Sequence, residues 1–488
     1  MEEKNAARSK KLKQKTTSAQ DAKKLKEALE AKYPNLWDKI DEEDKKASFS
    51  FAEAYKDFLS RAKTERAFVN VSIETLESLG YEPLSGKKTL KAGDKVYESV
   101  RGKALVAALI GSRPLKEGCN LVGAHVDAPR LDLKPHPIYE DSDLVLMKTH
   151  YYGGIKKYHW AAIPLAMHGI IYRKDGTPQT ISVGESDDDP VLTITDLLPH
   201  LGKEQMSRKA PDVIKGEELN VLIGGLPYPD PDTSGRFKLG ILQLLHERYG
   251  ITEQDWVSAE VELVPAGPAR DVGLDRSYIG AYAQDDRVCS YTALAALTSL
   301  ETVEKTAIAM LFDKEEIGSD GNTGAQSRAY ENFLYTILAK SQKQTDRLDF
   351  QQMVDNSHML SADVTNGFDP TFPAVSDSRN NSYLGRGISL VKYVGSRGKS
   401  GTSDANVEFL NKVIRLFNEK EIPWQTGEMG KVDEGGGGTI AKFLAHLGME
   451  VLDCGVPVLS MHSPFEVTSK IDVYMTFQAY RIFMEGMD

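Results

Sequence analysis

The chain has 488 residues, of which 41% are hydrophobic and 27% charged, so it is long enough for two or three folded domains. Its formal net charge of −11 argues against nucleic acid as the main partner, because phosphate binding favours a basic surface. The three cysteines are far apart and form neither a disulfide framework nor a CxxC motif, which favours the cytoplasm. No apolar run approaches the roughly 18–20 residues of a membrane helix, and no apolar segment typical of a secretory signal follows the lysine-rich start.

The first 134 residues predict helices followed by short strands. Residues 1–20 are expected to form a mobile tail that leads into a solvated helix. Further along, apolar residues recur first at helical spacing and then in short β-like runs. These patterns predict helical segments and strands over residues 21–40, 51–79, 96–100, 104–110 and 120–124. The last of these strands runs directly into His125.

Residues 135–268 differ in character from the chain on either side. They contain short β-rich runs, frequent proline and glycine, and an acidic stretch, which together indicate a separate β-rich domain. From residue 269 to 488 strands alternate with helices, which is typical of a mostly parallel sheet covered by helices. The sequence therefore predicts an α/β catalytic domain formed by residues 1–134 and 269–488, with the β-rich domain inserted between its two parts.

Five side chains with metal-binding chemistry follow apolar runs or begin a helix: His125, Asp285, Glu316, Asp363 and His462. Four of them follow predicted strands, over residues 121–124, 307–312, 359–362 and 456–461. Asp285 precedes a helix instead. Because functional residues gather at the carboxyl ends of strands in an open α/β sheet, we expect these side chains to converge. Two imidazoles and three carboxylates can hold two divalent, zinc-like cations.

Two further carboxylates suit the chemistry of such a centre. Asp127 lies two residues after His125 in an extended segment, so its carboxylate can accept from the ring N–H and orient the imidazole. Glu315 is adjacent to Glu316, and we predict that it acts as general base towards a metal-bound water. Taken singly, each residue also has a structural interpretation, such as a helix cap for Asp285. The hypothesis of a two-metal hydrolase therefore depends on the whole set.

Segments around these residues resemble motifs of the aspartyl aminopeptidase and vacuolar aminopeptidase I family of zinc peptidases. The resemblance is carried, in the family's order, by Gly123-Ala124-His125-Val126-Asp127-Ala128-Pro129, Asp285-Asp286-Arg287, Asp313-Lys314-Glu315-Glu316-Ile317-Gly318-Ser319, Ser361-Ala362-Asp363 and Met461-His462-Ser463. It implies a ligand set divided between two metal ions: His125 and Asp363 for one, Glu316 and His462 for the other, and Asp285 as the bridge. It also implies that Asp127 orients a ligand and that Glu315 is the base.

The same resemblance implies how the chain assembles. The insert would be a dimerisation domain, and dimers would form a tetrahedral dodecamer with enclosed active sites. In such relatives a histidine from the neighbouring subunit's insert reaches the active site. The local match is Leu198-Pro199-His200-Leu201, which makes His200 the candidate for stabilising the oxyanion in trans.

The sequence thus predicts a cytoplasmic, metal-dependent aminopeptidase that removes N-terminal residues from peptides. The expected cofactors are two divalent metal ions, zinc in the first place, with cobalt or manganese as alternatives. The alternative functions are a two-metal carboxypeptidase or amidase, and a non-catalytic assembly protein on the same fold. The sequence does not indicate which substrate residue is preferred, and it predicts no nucleic-acid or membrane partner.

Overall fold

The computed structural model describes residues 19–488, with side chains from residue 22 onwards. Most of the predicted tail, residues 1–18, therefore lies outside the described residues. The α-helices of the described part are α1 (Ala19–Leu29), α2 (Glu42–Arg61), α3 (Glu65–Ser78), α4 (Lys203–Ser207), α5 (Arg236–Tyr249), α6 (Gln284–Thr298), α7 (Ala329–Ser341), α8 (Arg347–Asp355), α9 (Val407–Glu419), α10 (Ala441–Ala445) and α11 (Lys470–Gly486). Within residues 19–488, none of these helices has the length and apolar character needed to cross a membrane.

The strands fall into three sheets. In chain order they are β1 (Glu82–Pro83), β2 (Lys95–Val100), β3 (Ala104–Leu109), β4 (Cys119–His125), β5 (Arg130–Asp141), β6 (Leu144–Tyr152), β7 (Leu165–Tyr172), β8 (Pro178–Val183), β9 (Thr193–Ile194), β10 (Asn220–Gly224), β11 (Ala259–Pro265), β12 (Arg270–Val272), β13 (Tyr278–Ala281), β14 (Thr306–Phe312), β15 (His358–Ser361), β16 (Thr365–Asn366), β17 (Ile388–Val391), β18 (Trp424–Thr426), β19 (Glu450–Gly455), β20 (Pro457–Leu459) and β21 (Glu466–Ser469).

The main sheet has nine strands in the spatial order β1-β2-β3-β14-β4-β15-β19-β17-β18. Its four central strands, β14, β4, β15 and β19, run parallel to one another. Nearly all residues of these four strands are buried, as expected for parallel strands that helices cover on both faces. The prediction of a mostly parallel sheet flanked by helices is confirmed.

Alternating residues of β14 show how the two faces of this sheet are covered. Ala307 and Ala309 belong to an apolar core that includes residues of α2, α3, α6, α9 and α11. Ile308 and Met310 belong to a second core that includes residues of α7, α8 and α10. Successive side chains of a strand point to opposite faces, so the central strands lie between two helical layers. This packing fixes the positions at which their carboxyl ends leave the sheet.

The second sheet has seven strands in the order β8-β7-β11-β5-β6-β10-β9, and all neighbouring strands in it are antiparallel. It has a separate apolar core that includes the buried indoles of Trp160 and Trp256. Its strands lie between residues 130 and 265, so the β-rich insertion is confirmed as part of the fold class. The domain boundaries at residues 134/135 and 268/269 stay predictions.

The third sheet was not predicted from the sequence. Its five strands have the order β12-β13-β21-β20-β16, and two of them, β16 and β20, follow the carboxyl ends of the main-sheet strands β15 and β19 in the chain. The apolar run before His462 was expected to be a strand of the main sheet, but β19 occupies that place and β20 belongs to the third sheet. This expectation was wrong because an apolar run predicts that a strand forms but does not show which sheet the strand joins.

Candidate metal centre

The five predicted ligands converge at the carboxyl edge of the main sheet. His125 is the last residue of β4, and Glu316 lies in a short 3-10 turn, Glu315–Ile317, after β14. Asp363 follows β15 by two residues, and His462 lies in the connection between β20 and β21. Asp285 lies in the first turn of α6, where its backbone angles are not helical. Three ligands therefore come from the ends of main-sheet strands, and His462 comes from the third sheet.

The Asp285 carboxylate lies between the two imidazoles. Its Oδ1 is 3.1 Å from His125 Nε2, and its Oδ2 is 3.2 Å from His462 Nε2. The same nitrogen of His125 is 3.9 Å from Asp363 Oδ1, and that of His462 is 3.4 Å from Glu316 Oε1. Each imidazole thus has one carboxylate of its own and shares Asp285 with the other imidazole.

The second nitrogen of each imidazole is held by oxygen atoms outside the ligand set. His125 Nδ1 is 3.1 Å from the backbone oxygen of Asp127 and 3.3 Å from its Oδ1. His462 Nδ1 is 2.8 Å from the carbonyl oxygen of Gly154. Such contacts fix the tautomer that leaves Nε2 free to bind a metal ion.

Asp127 also fixes the turn that carries Glu315. Its Oδ1 accepts from the backbone N–H of Glu315 at 3.0 Å, and its Oδ2 accepts from that of Glu316 at 3.2 Å. Asp127 is fully buried, so these bonds form away from water. One carboxylate therefore contacts a predicted imidazole ligand and the backbone of both adjacent glutamates.

Sequence reasoning missed two acidic residues that touch this set. Glu466 on β21 accepts from the backbone N–H of Asp285 at 2.9 Å and from that of His462 at 2.7 Å. Asp286 accepts from the backbone N–H of His125 at 3.3 Å, and it can form a metal-ligand group with His125 and Asp363. The adjacent Asp-Asp pair is a signal for Asp286, whereas no local pattern points to Glu466.

Crowded acidic groups dominate the electrostatics of the centre. Burial, followed by repulsion from neighbouring carboxylates, raises the pKa of Glu316 and of Asp363 well above the usual carboxyl range. The same two causes, partly opposed by His125 and His462, raise the pKa of Glu315 to about 7. Among the described residues Glu316 Oε1 has no hydrogen-bond partner, although it is buried. A divalent cation would offset this repulsion and keep the carboxylates ionised, so the donor set fits a metal centre.

The metal-ligand groups lie at the wall of a large cavity. It has a volume of about 1360 Å³, and Glu315 lines it together with the predicted ligands. The insert contributes Lys156, Tyr158 and His159 to its wall. His200, the predicted residue for action in trans, is exposed and is not among the residues that line this cavity in its own chain.

Comparisons with known proteins identify the family. The family described as aminopeptidase I zinc metalloprotease (M18) matches residues 58–484. A probable M18 family aminopeptidase 1 from Clostridium acetobutylicum is 49% identical and aligns over 93% of this chain and 98% of its own length. The crystal structure of an M18-family aminopeptidase from Thermotoga maritima has a TM-score of 0.90 and 46% identity, with 93% of this chain and 100% of that chain covered.

A more distant structure shares the fold. It is that of the S. cerevisiae mApe1 dodecamer, with 22% identity, a TM-score of 0.71, and coverage of 89% of this chain and 96% of that chain. The bacterial matches, by contrast, also decide between the alternative functions, because they favour an aminopeptidase over a carboxypeptidase, an amidase or a non-catalytic protein. The chain therefore belongs to the aminopeptidase I (M18) family of zinc metalloproteases and is a metal-dependent aminopeptidase.

Proposed function

We propose that this aminopeptidase works with two divalent metal ions per chain. His125 and Asp363 would hold one ion, Glu316 and His462 the other, and Asp285 would bind both. The observation that carries this proposal is the position of Asp285, whose two oxygens lie 3.1 and 3.2 Å from two different imidazoles. A carboxylate shared in this way offsets part of the repulsion between two cations.

The positions of the groups support a hydrolytic reaction with Glu315 as general base. When bound, the metal ions supply Lewis acidity, which polarises the scissile carbonyl and lowers the pKa of water. Glu315 lines the same cavity, and its backbone N–H donates to Asp127. This position supports the proposal that the Glu315 carboxylate accepts the proton of the attacking water. Glu315 then delivers that proton to the nitrogen of the leaving amine, which completes hydrolysis of the peptide bond.

Zinc is the proposed metal, with cobalt and manganese as alternatives. The donor set contains two imidazole nitrogens and otherwise carboxylate oxygens, which suits zinc and also admits other first-row divalent ions. We propose that the substrates are peptides with a free N-terminal amine, which must fit into the cavity of about 1360 Å³.

The first experiment compares metal-stripped and metal-reloaded protein on a panel of aminoacyl reporter substrates. We expect activity to vanish on stripping, to return with zinc, and to saturate at two ions per chain by elemental analysis. Peptides with a blocked N-terminus should resist cleavage, whereas peptides with a blocked C-terminus should be cleaved. Full activity with one ion per chain, or equal cleavage of both blocked peptides, would contradict the proposal.

Self-association through the insert is proposed as well, with dimers that form a tetrahedral dodecamer. His200 lies in a segment of the insert that exposes a set of large apolar side chains: Leu197, Leu198, Leu201 and Met206, between 51% and 72% exposed. Exposed apolar groups this close together are typical of an interaction surface. A partner chain that covers this segment could carry His200 into a neighbouring active site, where its imidazole would stabilise the oxyanion.

Subunit mixing tests this part of the proposal. His200→Ala and Glu315→Gln chains should each be nearly inactive alone, because each lacks one group of a shared active site. Co-assembly should restore activity, since a site with Glu315 from one chain can receive His200 from the other. If the His200→Ala protein is as active as wild type, or if mixed subunits stay inactive, His200 does not act in trans. Analytical ultracentrifugation of each sample reports the number of chains.

A further inference from the structure

The end of strand β6 belongs to the insert but touches the metal centre of its own chain. Tyr152 is the last residue of this strand, and its hydroxyl donates to Asp127 Oδ2 at 2.8 Å. Asp127 in turn contacts His125 Nδ1 and the backbone N–H groups of Glu315 and Glu316. One phenol of the insert therefore helps to fix the carboxylate that orients a ligand and the base.

The two glycines that follow Tyr152 reach the other half of the centre. Gly153 has a φ of +75°, in the left-handed region that favours glycine, and this turns the backbone towards Glu316. A Cβ atom on Gly153 would lie 3.5 Å from Glu316 Oε2. The carbonyl oxygen of Gly154 is 2.8 Å from His462 Nδ1. Tyr152 and Gly154 thus contact groups on the two sides of Asp285, and Gly153 forms the turn between them.

A buried arginine holds the Tyr152 ring in place. The guanidinium carbon of Arg130 lies 3.8 Å from the centroid of that ring, a distance typical of a cation–π contact. Three carboxylates fix the guanidinium itself: Asp132 at 2.8 Å and Glu262 at 3.4 Å from Nε, and Glu65 at 3.6 Å from Nη1. Glu65 begins α3 of the α/β domain, so the contacts continue from that helix through Arg130 to Tyr152.

We propose that residues 152–154 of the insert position both imidazole ligands, His125 through Asp127 and His462 through the carbonyl of Gly154. The insert is then a structural part of the metal centre in its own chain, in addition to any role in assembly. This inference rests on the proposed two-ion centre. Tyr152 and Gly154 are positioning residues, since they act through the ligands and the base.

Tyr152→Phe in the full chain is the main test, because it removes only the hydroxyl that donates to Asp127. We expect the dissociation constant for metal to rise by up to about 10-fold, the lower end of the range for the group directly behind a ligand, because Tyr152 acts through Asp127. At saturating metal, kcat should fall while KM changes little, since Tyr152 orients the Glu315 turn and does not bind substrate. Tyr151→Phe is the matched control, because Tyr151 is the preceding residue of the same strand and 40% exposed.

A double-mutant cycle separates positioning from a general structural role. If Tyr152 acts through Asp127, the effect of Tyr152→Phe on metal affinity should largely disappear in an Asp127→Asn background. Equal effects in the two backgrounds would contradict the inference, and so would wild-type metal affinity in Tyr152→Phe. If the wild-type protein itself does not bind metal, the proposed two-ion centre is refuted instead. Failure of the further inference and failure of the two-ion centre therefore give different results.

Gly153→Ala tests the contact with the other half of the centre. A side chain at a φ of +75° is strained, so the turn should shift and move the Gly154 carbonyl away from His462. We expect weaker binding of metal, measured by competition with a chelator. Gly176→Ala is the control, because Gly176 is another glycine of the insert with a φ of +84°, and a Cβ atom on it would have no other atom within 4 Å. Equal metal affinity of the two variants would overturn the role of the turn.

Discussion

Two buried histidines lie at opposite edges of the main sheet and have opposite surroundings. His125 ends β4, faces Asp127 and Asp285, and is 2% exposed. His358 begins β15, stacks on Phe409 with ring centroids 5.3 Å apart, and is 8% exposed. Both residues adjoin apolar strand segments, so the strand pattern alone does not distinguish them.

The difference shows in how each imidazole holds its proton. Although burial alone lowers the pKa of His125, hydrogen bonds to Asp127 and Asp285 raise it well above its usual value. Burial, with the nearby charges of Lys305 and Lys412, lowers the pKa of His358 to about 4. The acidic neighbours of His125 thus favour positive charge at the carboxyl edge. At the amino edge, burial and nearby lysines favour the neutral form of His358. We therefore expect substitutions at the carboxyl edge to change activity, and substitutions at the amino edge to change stability.

Glu315→Gln should have the largest effect on activity. Loss of a general base typically costs about 10²–10⁴-fold in rate, so kcat on an aminoacyl reporter should fall by that factor. The thermal midpoint of the metal-free protein should not fall, because the amide replaces a buried acid that neighbouring carboxylates repel. Metal content should stay at the wild-type level. Activity close to wild type would mean that another group takes the proton.

Asp285→Asn should mainly reduce metal binding. The Asp285 oxygens lie 3.1 and 3.2 Å from the two imidazoles. Loss of a group behind a ligand typically lowers metal affinity by about 10–100-fold, and we expect the loss of a proposed ligand to lower it at least as much. Isothermal titration of metal into stripped protein measures this change. Asp286→Asn is the matched neighbour, and it should lose less affinity if Asp286 is not a ligand. An equal loss in both variants would give Asp286 a place in the ligand set.

The strands that carry the centre could be predicted from the sequence, because their signal is local. The apolar runs expected at 120–124 and 307–312 correspond to β4 and β14, whose ends place His125 and the Glu315–Ile317 turn. The five predicted ligands also converge, as the strand-end rule requires. A polar residue directly after an apolar run can be recognised in the sequence without knowing which distant segments it contacts in the fold.

The parts that escaped prediction depend on contacts between distant segments. The hydroxyl of Tyr152 meets Asp127 only because the insert folds back onto the sheet. Glu466 meets the backbone of Asp285 across the pairing of β13 and β21. His462 enters from the third sheet for the same reason. Periodicity reports which face of an element is buried, but not which element it pairs with.

Asn120→Ala should test the amino edge through stability. Asn120 is 1% exposed, and its side-chain amide donates to the carbonyl oxygens of Met484 and Met487 at 3.3 and 2.9 Å. Its loss leaves buried carbonyl groups without donors, which costs about 1–3 kcal/mol. The thermal midpoint should fall while kcat and metal content stay unchanged. Asn356→Ala is the control. The exposed amide of Asn356 donates to the carbonyl oxygen of Lys116, so its loss should change stability little.

His358→Phe should give the smallest effect, visible only as a change in pH dependence. In the folded protein the pKa of His358 is lowered to about 4, below the value of about 6.5 expected in the unfolded chain. The unfolded chain therefore binds a proton first, and wild-type stability should fall as the pH drops from 6.5 towards 4. Phenylalanine can keep the stacking on Phe409 but cannot bind a proton. The variant should therefore lose less of its thermal midpoint over this pH range.

An exposed histidine provides the control for this comparison. His136 is exposed on β5, and His136→Phe is the matched substitution of a histidine by phenylalanine outside the core. If His358→Phe and wild type lose stability equally between pH 6.5 and 4, the neutral state of His358 does not contribute to folding. The contrast in protonation between the two edges would then depend on the acidic groups around His125, whose carboxylates raise the pKa of that imidazole.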